Sequence, residues 1–341
     1  MITGKLTPRD ILQGAVKFFR MKAGHGLFSV NLEVTKRCNL RCAFCDYWRE
    51  GGTEERLSDY APLISRLAPL HLTITGGEPL LRRDLEGLIA SIKARCGFVY
   101  MNCITNGSLL TVERATSLWR AGLTQLSVSC DFPDARHDEN RGHPGLFAHL
   151  CTTLPAIARA GLDNLALNCV IMRENLEDLL PLARLAASWG WKISFSTYNA
   201  RKNRHPGPRA PEDPGETDLP RLERAVADLI AWKREAGNVT NSEWYLRNVV
   251  RYFREGGIGG CLAGRKWVQV TPSGRIRRCS EREDLGPWET FSPRAVSPTA
   301  CRECWYACRG EAEAPLGLSR IIEVNRKPRP PAAAPRRGPS P

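Results

Sequence analysis

From Val30 to about Phe195 the chain alternates strand-like runs with helix-like ones, and this alternation limits its fold more than any other feature. Strands are expected at 30–35, 71–75, 99–105, 125–129, 165–171 and 192–196, with helices at 58–67, 84–94, 112–121, 147–160 and 176–188. Asp84, Thr111 and Asn175 stand where helix N-caps belong, and Gly122, Gly161 and Gly190 where helices stop. Successive strands joined by helices pair in parallel, with the helices packed outside. Six such units, rather than eight, predict a partial (β/α)6 TIM-type barrel of the α/β class. Chemical groups are then expected at the C-terminal ends of the strands.

The first of those ends carries Cys38-Asn39-Leu40-Arg41-Cys42-Ala43-Phe44-Cys45. Three thiolates spaced C-x3-C-x2-C can converge on one soft-metal centre, one ligand short of a closed tetrahedral site. A [4Fe–4S] cube held by three cysteines leaves one iron open to a substrate or cofactor. The competing readings are a zinc site with a distant fourth ligand, or buried thiols. No histidine has finger-like spacing, the nearest being His25 and His71. A second group lies downstream: Cys261 and Cys279 bracket the hairpin signal Pro272-Ser273-Gly274, and Cys301, Cys304 and Cys308 follow. Five thiols in that pattern suit either a closed zinc site or a second cluster.

Other strand ends carry further candidates. Gly76-Gly77-Glu78-Pro79 follows the second strand; the glycines permit close backbone approach and Glu78 offers a carboxylate to a cationic group. Thr105-Asn106-Gly107 closes the third strand, and Ser129-Cys130-Asp131 ends the fourth with a hydroxyl and a carboxylate suited to ribose. Asn168 on the fifth strand is either a ligand contact or a buried amide satisfied by backbone. His137-Asp138 and Arg141-Gly142 either bind a ligand or order the loop before the helix at 147.

The cysteine loop, with Phe44 before its third cysteine, resembles the signature of the radical SAM superfamily. The resemblance implies S-adenosylmethionine (SAM) chelating the open iron and one-electron cleavage to a 5′-deoxyadenosyl radical. It further implies that Gly76, Gly77 and Glu78 receive the methionyl ammonium, with Ser129, Asp131 and Asn168 as further SAM contacts. The C-terminal cysteines resemble the twitch or SPASM-type extension that carries auxiliary [4Fe–4S] clusters, with fewer cysteines than full SPASM. The implied partners are an electron donor such as flavodoxin or ferredoxin and a small-molecule, lipid or peptide substrate, with a slight lean toward lipid. The extension is expected to cap the barrel mouth.

On this reading 1–29 is an N-terminal helical segment, 30–200 the barrel, and 201–258 a polar loop with connecting helices. Residues 259–324 form the cysteine-rich extension and 325–341 a disordered basic tail. The tail contributes five of the thirteen net positive charges, and no nucleic-acid-binding module is visible. The alternative function is a zinc-stabilised protein that grips nucleic acid or another anionic partner. Eight of 13 cysteines fall in metal-like groups, which fits a reducing cytoplasm better than a disulfide scaffold. No apolar run reaches the length of a membrane span. Residues 9–22 predict an amphipathic helix whose stripe Ile11, Leu12, Ala15, Val16 and Phe19 packs on the body or, alternatively, meets a membrane surface.

Overall fold

The computed structural model describes residues 7–23, 26–49, 54–199 and 211–315. Helix α1 (Pro8–Lys22) precedes a parallel series of strands: β1 (Ser29–Thr35), β2 (His71–Gly76), β3 (Tyr100–Thr105), β4 (Gln125–Ser129), β5 (Leu165–Ile171) and β6 (Lys192–Thr197). Between them run α2 (Ala61–Leu67), α3 (Leu85–Cys96), α4 (Val112–Ala121), the short α5 (Arg136–Arg141), α6 (Leu146–Arg159) and α7 (Leu179–Ser188). All six expected strands and all five expected helices are present. The expected polar loop at 199–216 and the basic tail fall largely or wholly outside the described residues.

Each strand alternates strictly. Val30, Leu32 and Val34 of β1, Leu72 and Ile74 of β2, Leu126 and Val128 of β4, and Ile193 and Phe195 of β6 enter the hydrophobic core shared with the helices. The intervening residues, among them Asn31, Thr73, Ser127 and Ser194, line an internal cavity. A parallel sheet packed on both faces reads as a continuous apolar run. Here the outer face is packed and the inner face, mostly polar along the strands, lines the cavity.

Caps set the helix boundaries. Thr111 accepts from the Arg114 amide at 3.1 Å and starts α4, which ends at Gly122 with φ +111°. Asp84 makes no cap; its carboxylate instead accepts from Arg82 at 2.9 Å. Asn175 sits in a 3-10 turn, Arg173–Asp178, so α7 begins three residues later than the expected 176.

Beyond β6 follow α8 (Leu219–Ala236) and α9 (Glu243–Arg254), and then the cysteine-rich segment with β7 (Trp267–Val270), β8 (Arg275–Arg277), β9 (Asp284–Pro287) and α10 (Ala307–Glu313). The hairpin forms as expected, with the Gly274 amide donating to Thr271 O at 2.9 Å. β7 pairs in parallel with β1, so all nine strands make one sheet in the order β6-β5-β4-β3-β2-β1-β7-β8-β9. At the other edge, the Ala307 amide donates to Ser196 Oγ of β6 at 3.2 Å. The segment therefore joins the two edges of the partial barrel, from β1 round to β6.

Cys103, Cys130 and Cys169 are buried core residues, and desolvation raises the pKa of each thiol. These thiols stay protonated in the fold while unfolded chains ionise near pH 9. Their stabilising contribution is thus intact below pH 9 and lost as pH rises above it. Three such groups make the unfolding free energy fall by about 4 kcal/mol per pH unit in that range. Urea denaturation across pH 7–10.5 checks this, and a flat profile above pH 9 would contradict it.

Candidate active site and metal centres

The cysteine loop leaves β1 at its C-terminal end and is held from three sides. The Ala43 amide donates to Asn140 O at 2.9 Å, Asn39 Nδ2 donates to Ser108 Oγ at 2.8 Å, and Leu40 is buried beneath. At the stem, the Gly77 amide donates to Thr35 O and the Glu78 amide to Arg37 O, each at 2.8 Å. Both glycines are required by this approach. A Cβ on Gly76, where φ is +140°, would lie 2.0 Å from Thr35 O, and one on Gly77 would lie 2.2 Å from Arg37 O. Glu54 was not anticipated: its carboxylate accepts from Thr35 Oγ1 and the Lys36 amide at 2.5 Å each. A lone glutamate in a polar stretch carries no sequence signal for this role.

Cys38, Cys42 and Cys45 all line one cavity of about 830 Å³, as do Gly76, Gly77, Ser129 and Asn168. Desolvation raises the Cys38 thiol and pushes Cys42 up to about 12, against the nearby Arg141. Soft thiolate donors around an open position suit an iron–sulfur cluster, and binding one would release those protons.

Two of the expected ligand residues are engaged by the protein itself. Glu78 is fully buried and does not line the cavity. Its Oε1 accepts from the Leu80 amide at 2.9 Å and Thr105 Oγ1 at 2.7 Å, and its Oε2 from the Asn106 amide at 2.7 Å. It ties the loop after β2 to the one after β3, with burial raising its pKa against those hydrogen bonds. Asp131 is equally buried. It forms an ion pair with Arg141 at 2.7 Å and accepts from Asn140 Nδ2 and the Val170 amide at 3.0 Å. The expected Ser129/Asp131 pair is therefore split, with only Ser129 at the cavity.

The His-Asp and Arg-Gly residues prove to order the loop, and one of them also reaches the site. His137, pushed down to about 4 by burial, is a neutral acceptor for the Asp131 amide at 3.2 Å. Asp138 accepts from the Gly145 and Phe147 amides at the start of α6. Gly142 allows close passage of Arg41 O, which a Cβ would meet at 2.6 Å. Arg141 does more: its charge acts on the Cys42 thiol, and it lies 4.9 Å from the centroid of the Phe44 ring. A buried guanidinium thus stands near a metal-ligand candidate, held by Asp131.

The lumen beneath the mouth is lined by hydroxyls, amides and a few charges from the strands, together with apolar and aromatic side chains such as Phe28, Leu70, Ile104 and Tyr198. Glu33 and Thr75 stand level on β1 and β2, and Glu33 accepts from Gln269 of β7. His71 at the lower end is pushed down to about 4 by burial and is neutral. On the open side of the barrel, Cys261, Cys279, Cys301, Cys304 and Cys308 all line a second, smaller pocket. Cys308 lines both the pocket and the lumen. Burial raises the Cys261 and Cys304 thiols and pushes Cys279 up to about 12, while Arg282 donates to Cys301 Sγ at 3.4 Å. Among the described residues, no three His, Cys, Asp or Glu side chains close to the spacing of a single bound ion.

A sequence model of the radical SAM superfamily matches residues 32–186. The GTP 3′,8-cyclase of Synechococcus sp. (strain CC9902) is 30% identical over 310 residues, 82% of this chain and 87% of that enzyme. That of Xanthomonas axonopodis pv. citri (strain 306) is 34% identical over 188 residues, covering 51% of this chain and 56% of the enzyme, so this match spans little more than half of its length. The PqqA peptide cyclase of Methylocella silvestris is 28% identical over 286 residues, 81% of this chain and 73% of that one. In fold, the chain is similar to Streptococcus suis SuiB bound to its precursor peptide SuiA, with a TM-score of 0.62 and 18% identity over 85% of this chain and 70% of SuiB.

The geometry around Glu78 leads to a distinct expectation for Glu78→Gln. One amide N–H would face a backbone or hydroxyl donor, so the metal-free chain should lose about 2 kcal/mol of stability. Urea denaturation measures that loss, and isothermal titration measures SAM affinity. Unchanged stability with weakened SAM binding would make Glu78 a ligand after all.

Proposed function

The chain belongs to the radical SAM superfamily, and from that premise we propose that it aims a SAM-derived radical at a polar, water-soluble substrate held in the barrel lumen. Members of this superfamily are enzymes, so the reading as a non-enzymatic zinc-stabilised binding protein is set aside. Cys38, Cys42 and Cys45 would hold the [4Fe–4S] cluster, which supplies the electron for SAM cleavage. Gly76 and Gly77 would admit the methionyl end of SAM by close backbone approach, while Ser129 and Asn168 offer a hydroxyl and an amide to its other polar groups. Arg141 would place a fixed positive charge beside Cys42, and Asp131 would position Arg141. A flavodoxin- or ferredoxin-type donor would supply the electrons.

The substrate class rests on one observation, the polar inner face of the strands. An aliphatic lipid chain there would take the water from polar strand residues such as Asn31 and Ser194, at a cost for each group. The cavity of about 830 Å³ lies toward the upper end of the range for ligand pockets, about 300–1,000 Å³. A small polar metabolite or the reacting end of a peptide suits the remaining space, and GTP and peptide cyclases among the relatives agree with both. The five C-terminal thiols would hold a second [4Fe–4S] cluster bordering the substrate space through Cys308.

Anaerobic purification and iron analysis test the two centres. Wild type should carry about eight irons per chain, the content of two cubes. Alanine at Cys38, Cys42 and Cys45 should halve the iron and abolish 5′-deoxyadenosine formation with dithionite. Alanine at Cys261 and Cys279 should also halve it, yet leave SAM cleavage intact. Zinc in the second site of the wild type would refute the second cluster.

The substrate class has its own test. The aqueous metabolite fraction of a cell extract should stimulate 5′-deoxyadenosine formation more than the organic-phase lipid fraction does. Ser194→Leu, which turns one lumen hydroxyl apolar, should reduce that stimulation and spare basal cleavage. Stimulation by the lipid fraction alone would overturn the polar-substrate reading.

A further inference from the structure

Helix α1 is amphipathic, yet it is attached the wrong way round for a core helix. Its apolar stripe faces outward: Ile11 is 59% exposed, Leu12 66%, Val16 52% and Phe19 70%. The opposite face is tied to the body by specific polar contacts. Gln13 Oε1 accepts from the Phe98 amide at 2.7 Å, Lys93 pairs with Asp10 at 3.6 Å, and Lys17 Nζ donates to Pro69 O at 3.5 Å. Gly14 lets the Phe98 ring come close, since a Cβ would lie 3.1 Å from it. The helix itself is well started, with Thr7 and Asp10 forming a reciprocal capping box. Its outward stripe is therefore held in place by the body.

Placed on the body, the stripe would bury four large side chains; turned outward, it leaves them among the few large hydrophobics exposed on the described residues. Charge identifies the surface that suits it. The helix sequence holds Arg9, Lys17, Arg20 and Lys22 against the single acid Asp10. Asp10 is already engaged by Thr7 and Lys93, while Arg9 and Arg20 are exposed beside the stripe, and Arg95 is exposed at the end of α3. An apolar stripe flanked by arginines complements an anionic lipid surface, with side chains in the acyl boundary and guanidinium groups at the phosphates.

We propose that α1 docks the enzyme on an anionic membrane surface through Ile11, Leu12, Val16 and Phe19. The fold also sets the orientation. The anchors Pro69 and Phe98 precede β2 and β3, so α1 lies at the N-terminal ends of the strands, opposite the cysteine loop. Docking thus places the barrel floor on the lipid and leaves the mouth facing water, open to SAM, a soluble substrate and an electron donor.

Co-sedimentation of the full chain with vesicles tests this. Wild type should pellet with phosphatidylglycerol–phosphatidylcholine vesicles and stay soluble with phosphatidylcholine alone. Leu12→Ser with Phe19→Ser should weaken binding more than about tenfold, as each buried side chain of this size contributes about that much. Both positions are exposed, so circular dichroism should remain unchanged. Arg9→Glu with Arg20→Glu should weaken binding to the anionic vesicles as well, and vesicles should leave the SAM cleavage rate unaltered. No vesicle binding would overturn the proposal. So would equal binding by wild type and the serine variant, the result expected if the basic tail alone makes the contact. A wild-type dimer that the serine variant dissociates would reassign the stripe to an interface between copies, and inhibition of cleavage by vesicles would overturn the orientation.

Discussion

Two buried carboxylates hold the mouth of this barrel together. Glu78 collects three hydrogen bonds from residues after β2 and β3, and Asp131 collects Arg141, Asn140 and the start of the Val170 backbone. An ionised carboxylate costs several kcal/mol to take out of water and persists only when its oxygens are fully engaged. Each carboxylate here meets that condition by joining segments distant in sequence. Glu78 ties together strand ends that the glycine pair brings against the cysteine loop. Asp131, through Arg141, reaches the loop from the other side at Cys42. The three thiols are thereby positioned from both flanks by carboxylates that do not line the cavity.

That economy leaves the cavity lining free for ligands. Glu78 and Asp131 are absent from that lining, which combines hydroxyls, amides, several charged groups and backbone at the two glycines with apolar and aromatic side chains. Glu33 is an acid that does reach the interior, with Gln269 bonded to it across the β1–β7 pair. The seventh strand therefore does more than extend the sheet. It supplies a partner to the lumen carboxylate and carries the chain back toward the cysteine pocket.

Much of this was legible in sequence because it depends on local periodicity. The six strands and their helices follow from runs bounded by Thr111, Gly122 and similar residues, and they appear where expected to within a few positions. The cysteine loop was legible because three thiols at fixed short spacing have few other uses. The roles of Glu78 and Asp131 were not, because a carboxylate at a strand end reads the same whether it points at a ligand or at neighbouring amides. That choice depends on partners 27 and 28 residues away for Glu78, and 39 for the Val170 amide on Asp131. The polar lumen was visible in Ser-Val-Asn-Leu-Glu-Val-Thr and its counterparts. Alternation alone, however, does not say whether the polar face meets bulk water or an enclosed cavity; only closure of the sheet decides that.

The placement of β7 has a consequence for how the two cysteine groups communicate. Had the hairpin formed a separate lid, the second pocket would sit above the mouth and its distance from the substrate would depend on lid motion. With β7 hydrogen-bonded along β1 and α10 bonded to β6, the pocket is built into the barrel wall. Asn31 of β1 lines both that pocket and the lumen, as Cys308 does. Any group bound by the five thiols is consequently held at a set distance from the lumen by the same sheet that fixes the first cysteine loop. Sequence separates the two cysteine groups by more than two hundred residues, and one parallel strand pair brings them into a single rigid frame.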